Sequence, residues 1–172
     1  GAPGVACRRP QPAGRVAAGR RARGVPDSDI HVLGPTDDKH SGVVRLHGTG
    51  QKKPILLLAH LDVVTALPTD WTTDPFKLVE KDGYYYGRGS IDDKAMASIF
   101  VANMIRYKKE GFVPDRDIIL ALTPDEEKSG LLGAEWLVKN HRELIDAAYA
   151  LNEGGGGSLK DGKPFRQAVQ AT

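Results

Sequence analysis

Gly87-Arg88-Gly89-Ser90-Ile91-Asp92-Asp93-Lys94 decides how the chain is read, because the aromatic, strand-like run at 84–86 breaks there at two glycines and reopens as a helix. Two carboxylates head that helix. Acidic side chains at such a junction either cap the helix or hold a ligand, and capping is the ordinary use. Two other sites have the same form: His60-Leu61-Asp62 after the apolar run 55–59, and Asp125-Glu126-Glu127 after 118–123. Three strand ends of this kind can converge on one rim.

The helix is predicted over 92–110, with Ala95, Met96, Ile99, Phe100, Ala102, Met104 and Ile105 as its apolar face and Gly111 as its stop. Residues 55–59 are apolar on both faces, which suits a central strand covered on both sides. Residues 117–123 read as a second buried strand, and 147–152 as a third that ends in Glu153. Short strands are expected at 29–33 and 43–47, separated by a polar turn at 34–42. Residues 76–80 and 84–86 flank Lys81-Asp82-Gly83, a hairpin signal. A loop is expected at 67–73 and a helix near 131–140. Strands alternating with helices at this spacing indicate an α/β domain with a largely parallel central sheet, whose ligand crevice lies at the carboxyl ends of the strands.

At 172 residues and 40% hydrophobic content, the chain is long enough for one domain with a core. No window has the apolar length that crosses a membrane. A single cysteine, Cys7, excludes an intrachain disulfide framework. The formal charge of +2 is uneven: residues 1–24 hold six arginines and no acid, which leaves 18 basic against 22 acidic residues in the rest. That head is expected to be irregular. It lacks the apolar core of a signal peptide and the interleaved aromatics of a nucleic-acid binder, so neither nucleic acid nor membrane is an expected partner. A cytoplasmic and an exported destination both stay open.

His60, Asp62, Asp92, Glu126, Glu127 and Glu153 all follow strand-like segments. Clustered carboxylates raise one another's pKa unless a cation neutralises them, and a divalent metal pair removes that difficulty. One histidine with several carboxylates suits zinc, with cobalt or manganese as substitutes. Period-two geometry places His60 and Asp62 on one side of an extended segment, so that one can ligate while the other orients it. Adjacent Glu126 and Glu127 point in different directions, so one can bind metal while the other takes a proton from water. Ser129 has no evident base, and Gly154 to Gly157 lack the Gly-Lys-Ser/Thr that completes a phosphate loop.

Taken together and in order, LLLAHLDVV, DWTTDPF, YGRGSIDDK, TPDEE and LNEGG resemble the motifs of the dizinc metallopeptidase family that contains aminoacylase, carboxypeptidase G and succinyl-diaminopimelate desuccinylase. The resemblance covers 25–172. It implies a three-layer, zinc-peptidase-like sandwich and a zinc-dependent hydrolase of peptides or N-acyl amino acids. By the same resemblance His60 and Glu153 hold one zinc, Glu127 holds the other, and Asp92 bridges them. Glu126 is the general base that activates water and later protonates the leaving amine, and Asp62 orients His60. The full-length family architecture implies a homodimer.

Three departures accompany the likeness. Family members are more than twice this long, with an inserted smaller domain and a final segment that carries the last zinc histidine, so the chain reads as truncated to the N-terminal part of the catalytic domain. Ala95 stands where the family has glycine. The head before Val25 does not resemble the usual N-terminal helix. The rival expectation is a catalytically inactive fragment that acts as a scaffold or interaction module.

Overall fold

The computed structural model describes residues 25–168, and the expectations for residues 1–24, Cys7 included, lie outside them. In chain order the elements are β1 (Ile30–Thr36), β2 (Lys39–Leu46), β3 (Ile55–His60), β4 (Val79–Lys81), β5 (Tyr84–Tyr86) and α1 (Lys94–Lys109). They continue with β6 (Ile118–Thr123), α2 (Ala134–Asn140), α3 (Arg142–Ile145), β7 (Tyr149–Leu151), β8 (Gly156–Lys160) and β9 (Lys163–Ala168).

Five strands form one sheet in the order β1-β2-β6-β3-β7. β3 runs parallel to β6 from Ile55↔Ile118 to His60↔Thr123, and parallel to β7 on its other side. β2 alone runs against its neighbours β1 and β6. The carboxyl ends of β3, β6 and β7 therefore share one edge of the sheet, the edge expected to carry ligands.

Alternation along the strands explains the layers. On β6, Leu120 and Leu122 pack with Leu57, Ala59 and Val44 against Ala97 and Met104 of α1. Ile119 and Ala121 point the other way, with Leu56 and Val43, onto Leu137, Trp136, Leu144 and Ile145 of α2 and α3. A strand apolar on both faces thus serves two helical layers, and the three-layer sandwich follows. Burying Ile119 and Leu120 fully contributes roughly 1.5–3 kcal/mol each. Among the described residues no helix is long and apolar enough to cross a membrane.

Several expectations need correction. The helix begins at Lys94, so Asp92 and Asp93 precede it, and no side chain caps its first turn. Ile99 is 59% exposed, and the inward face is carried by Ala97, Phe100, Val101 and Met104. Met96, Phe100 and Met104 of the expected face do pack on the core, whereas Ile99 and Ala102 face outward. The polar turn at 34–42 is mostly strand, because β1 and β2 pair out to Thr36↔Lys39. The helix near 131–140 starts later, at Ala134, and α3 follows it. Asp92 does not follow a strand of the main sheet, since β5 pairs only with β4 in a separate two-stranded hairpin. The loop 87–93 carries it to the rim. The β8–β9 hairpin was not anticipated.

Candidate functional site

Each side chain at the rim is placed by a different segment. His60 closes β3 and is 2% exposed. Its Nδ1 lies 3.2 Å from the main-chain carbonyl of Asp62, an acceptor only, so the neutral ring carries its proton on Nδ1. Nε2 is the ring nitrogen turned toward the acidic rim. It faces Asp92 Oδ1 at 2.9 Å, Glu153 Oε1 at 3.3 Å and Glu126 Oε2 at 3.7 Å.

Donor atoms of His60, Asp92 and Glu127 lie within 4.8 Å of one another, and so do those of His60, Asp93 and Glu153. The structure thus brings together His60, Asp92, Glu126, Glu127 and Glu153. Asp62 stands behind them: its Oδ1 is 3.4 Å from His60 Nδ1. Its two carboxylate oxygens accept the amide N–H groups of Glu126 and Glu127, both at 3.2 Å. Glu127 Oε1 in turn accepts the N–H of Val64 at 3.2 Å.

Three residues of this region escaped the sequence reading. Asp93 is 2% exposed, and its Oδ2 accepts the His60 amide at 3.0 Å. Lys94 Nζ donates to the Leu61 carbonyl at 2.9 Å. Asp125 is 1% exposed, accepts Ser129 Oγ and the Leu132 amide, and pairs with Lys39 at 3.4 Å. Adjacency to Asp92 was the signal for Asp93 and Lys94, but sequence alone does not tell which of two neighbouring acids is buried. A serine four residues after Asp125 was the signal for the turn.

The electrostatics follow from this crowding. Burial pulls the His60 imidazole down, but the hydrogen bond with Asp92 and the charges of Glu153, Asp62 and Glu126 outweigh it and hold the ring above its ordinary value. Burial pushes Asp93 and Glu153 up; the His60 ring charge opposes this in both, and its amide also does in Asp93. Burial also draws the Lys94 ammonium down, against the pull of Asp62, Glu127, Asp92 and Asp93.

The donor set fits a cation. An imidazole nitrogen facing three carboxylates needs positive charge between them, either a proton on Nε2, as in the hydrogen bond with Asp92, or a metal ion. Two donors on a tetrahedral zinc, each about 2.0–2.1 Å from it, lie about 3.3 Å apart, close to the His60–Glu153 spacing. A cavity of about 70 Å³ lies at the rim between His60, Thr123, Glu126 and Asn152. A larger one, about 420 Å³, opens beside it along Val63, Leu78, Arg88 and Lys94.

Comparison with known proteins adds to this geometry. The pattern of peptidase family M20/M25/M40 matches residues 56–167. The N-fatty-acyl-amino acid synthase/hydrolase PM20D1 of Xenopus tropicalis is 41% identical over 102 residues, which are 59% of this chain and 20% of that protein. Aminoacylase-1 of Sus scrofa is 39% identical over 102 residues, 58% of this chain and 25% of that protein. The chain thus spans between a fifth and a quarter of these two relatives. An M20 family metallo-carboxypeptidase from Sulfolobus solfataricus superposes with a TM-score of 0.69 at 20% identity, over 84% of this chain and 32% of that one, a likeness of fold.

Proposed function

The chain belongs to the peptidase M20/M25/M40 family, and on that premise we propose that it is the zinc-binding part of a hydrolase that cleaves the amide bond of a peptide or an N-acyl amino acid. Residues 25–172 then correspond to the N-terminal part of that family's catalytic domain. The observation that carries the proposal is the meeting of His60, Asp92, Glu127 and Glu153, from four separate segments, with donor atoms of the groups that share His60 within 4.8 Å of one another. The amide-bond chemistry in the names of aminoacylase-1 and the metallo-carboxypeptidase supports it.

His60 and Glu153 would hold one zinc, Glu127 the other, and Asp92 both. When bound, the cations supply Lewis-acid polarisation of the scissile carbonyl and a lowered pKa for water, which cobalt or manganese can also provide. The chain's own residues do the rest. Glu126, half exposed at the rim cavity, takes the proton of the attacking water and delivers it to the nitrogen of the leaving amine. The Asp62 carbonyl holds a His60 proton on Nδ1, which leaves Nε2 as the nitrogen that would ligate. Asp93 fixes the His60 main chain from the head of α1.

Metal analysis of the dialysed 172-residue chain, with hydrolysis of N-acetylated amino acids and dipeptides followed with and without chelator, tests the reading. One equivalent of zinc is expected to bind more tightly than a second, because the first position would have His60 with Asp92 and Glu153, 2.9 and 3.3 Å from its Nε2, while the second would have Asp92 and Glu127 among the described residues. Turnover by this chain is expected to be slight and to vanish with chelator. A folded chain that takes up no zinc would overturn the proposal, and stoichiometric zinc with no turnover of any substrate would favour a scaffold.

A further inference from the structure

We propose that Asp62 is a positioning residue whose carboxylate sets the place of Glu126 and Glu127, in addition to standing behind His60. This rests on the hydrolase reading of the rim, and it assigns the residue a task that geometry separates from the orientation of the imidazole.

β3 and β6 stay paired through His60↔Thr123, and the Leu61 amide extends the ladder by one bond to the Thr123 carbonyl at 2.9 Å. Beyond that point the two chains part. Asp125 turns the second chain with a φ of 72°, a left-handed conformation that lets successive amides face one way. Such a concavity of consecutive N–H groups is built to receive an anion. Here the anion is a side chain of the neighbouring loop: Asp62 takes the Glu126 N–H on one oxygen and the Glu127 N–H on the other.

The contact is reciprocal. Glu127 Oε1 accepts the Val64 N–H, two residues past Asp62, so each loop satisfies amides of the other. Glu127 is left with its second oxygen for a metal, and Glu126 is anchored through its own amide while its carboxylate reaches toward His60 Nε2. The base and the ligand are therefore located by one carboxylate that follows β3 and not the strand, β6, that they follow.

His60 has a separate support. The nearer partner of its Nδ1 is the main-chain carbonyl of Asp62 at 3.2 Å, and the carboxylate is at 3.4 Å. Every residue at position 62 keeps that carbonyl. Removal of the carboxylate therefore spares the His60 tautomer and releases the acidic turn.

The experiment is amide hydrogen exchange at single residues in the metal-free 172-residue chain, for the parent, Asp62→Asn and Asp62→Ala, with zinc titrations alongside. Asp62→Ala should speed exchange at both Glu126 and Glu127 by about tenfold, the effect of one lost hydrogen bond at each. The Leu61 amide, bonded to Thr123, should hold its rate. Asp62→Asn should speed only one of the two, because a carboxamide keeps one acceptor oxygen and its NH₂ cannot accept. The tighter zinc should stay bound and the weaker one should be lost.

Unchanged exchange at Glu126 and Glu127 in Asp62→Asn, with loss of the tighter zinc, would overturn the proposal and leave Asp62 as a partner of His60 alone. Should Asp62→Ala fail to fold, Asp62→Asn decides by itself. A parent chain that binds no zinc defeats the hydrolase reading, while the exchange rates still report on the clasp.

Discussion

The two ends of β6 carry acids of opposite circumstance. Just before its first residue, Asp117 accepts the Gly48 N–H at 2.9 Å and the Arg45 guanidinium at 3.0 Å, and lies 3.2 Å from His47 Nδ1. Burial pushes this carboxyl up, yet Gly48, Arg45 and His47 together outweigh it and hold it below the usual range. Past the last residue, Glu126 and Glu127 join Asp92, Asp93 and Glu153 around one imidazole, and burial leaves Asp93 and Glu153 above their ordinary values. One end of the strand has its charge balanced by the chain; the other holds more carboxylates than Lys94 and His60 offset. Asp125 marks the boundary, since it lies beyond Thr123 but is paired with Lys39 and so belongs with the balanced acids.

The largest test of this contrast removes the proposed ligand His60 from one end and the cation Arg45 from the other. His60→Ala should weaken zinc binding by more than the roughly 10–100-fold that loss of an outer partner costs. Arg45→Ala should leave zinc affinity unchanged. Isothermal titration of both variants reads the difference, and equal losses would mean that the two ends are not functionally distinct. Zinc at 100 times its Kd should also raise the stability of the parent by about 2.7 kcal/mol, visible as a higher Tm, and should do nothing for His60→Ala.

Two glycines sharpen the comparison through packing. A Cβ at Gly133 would lie 2.0 Å from the Pro124 carbonyl oxygen, and one at Gly48 would lie 2.4 Å from those of Pro114 and Arg116. Alanine at either position forces backbone to move, at a cost of roughly 1–3 kcal/mol. Gly133→Ala should also disturb zinc binding, because Pro124 leads directly into the turn that presents Glu126 and Glu127. Gly48→Ala should lower the urea midpoint alone. Intact zinc binding in Gly133→Ala would show that the acidic turn is tolerant of displacement.

The sequence announced the sheet more clearly than the helices. The runs 55–59 and 118–123 are apolar on both faces, and a strand with that character has nowhere to go but the centre of a covered sheet. Five rim residues, His60, Asp62, Glu126, Glu127 and Glu153, were legible for a related reason, since polar groups that follow strands of one parallel sheet are carried to a common edge. What was hidden depends on third parties. Asp92 reaches the rim from a loop whose preceding strand lies outside the main sheet, and a pattern of strands alone cannot place it. Asp93 is buried by the contact of its carboxylate with the His60 amide, a bond between residues 33 positions apart. Ile99 is exposed because α1 meets the sheet along Ala97, Phe100 and Met104, and the choice between neighbouring helical faces is made by the surface they meet.

The balanced end makes a smaller claim on stability. Asp117→Ala leaves the Gly48 amide and the Arg45 guanidinium without their acceptor. Because both sites are partly open to water, the loss should be about 1–2 kcal/mol by urea denaturation, with zinc affinity retained. A loss near zero would mean that solvent replaces the carboxylate fully and that this end is no clasp.

The smallest effect is in the acid limb of stability. The Asp117 carboxyl is depressed in the folded chain, so its charged form is favoured there relative to the unfolded state, where an aspartate titrates at about 3.9. The unfolded chain therefore binds more protons between the two values, and stability falls as pH drops from about 4 through the depressed folded value. Asp125 adds to the same limb: the Ser129 hydroxyl is the main influence holding it down, against burial and with help from the Leu132 amide and Lys39. Asp117→Asn removes one of these two contributions. Its urea midpoint should be lower than that of the parent at pH 7, and the gap should narrow toward pH 3, because the asparagine has no proton to take up. If parent and variant instead lose stability in parallel across that window, the charge of Asp117 is not what ties the start of β6 to β2, and the balanced end would owe its cohesion to packing alone.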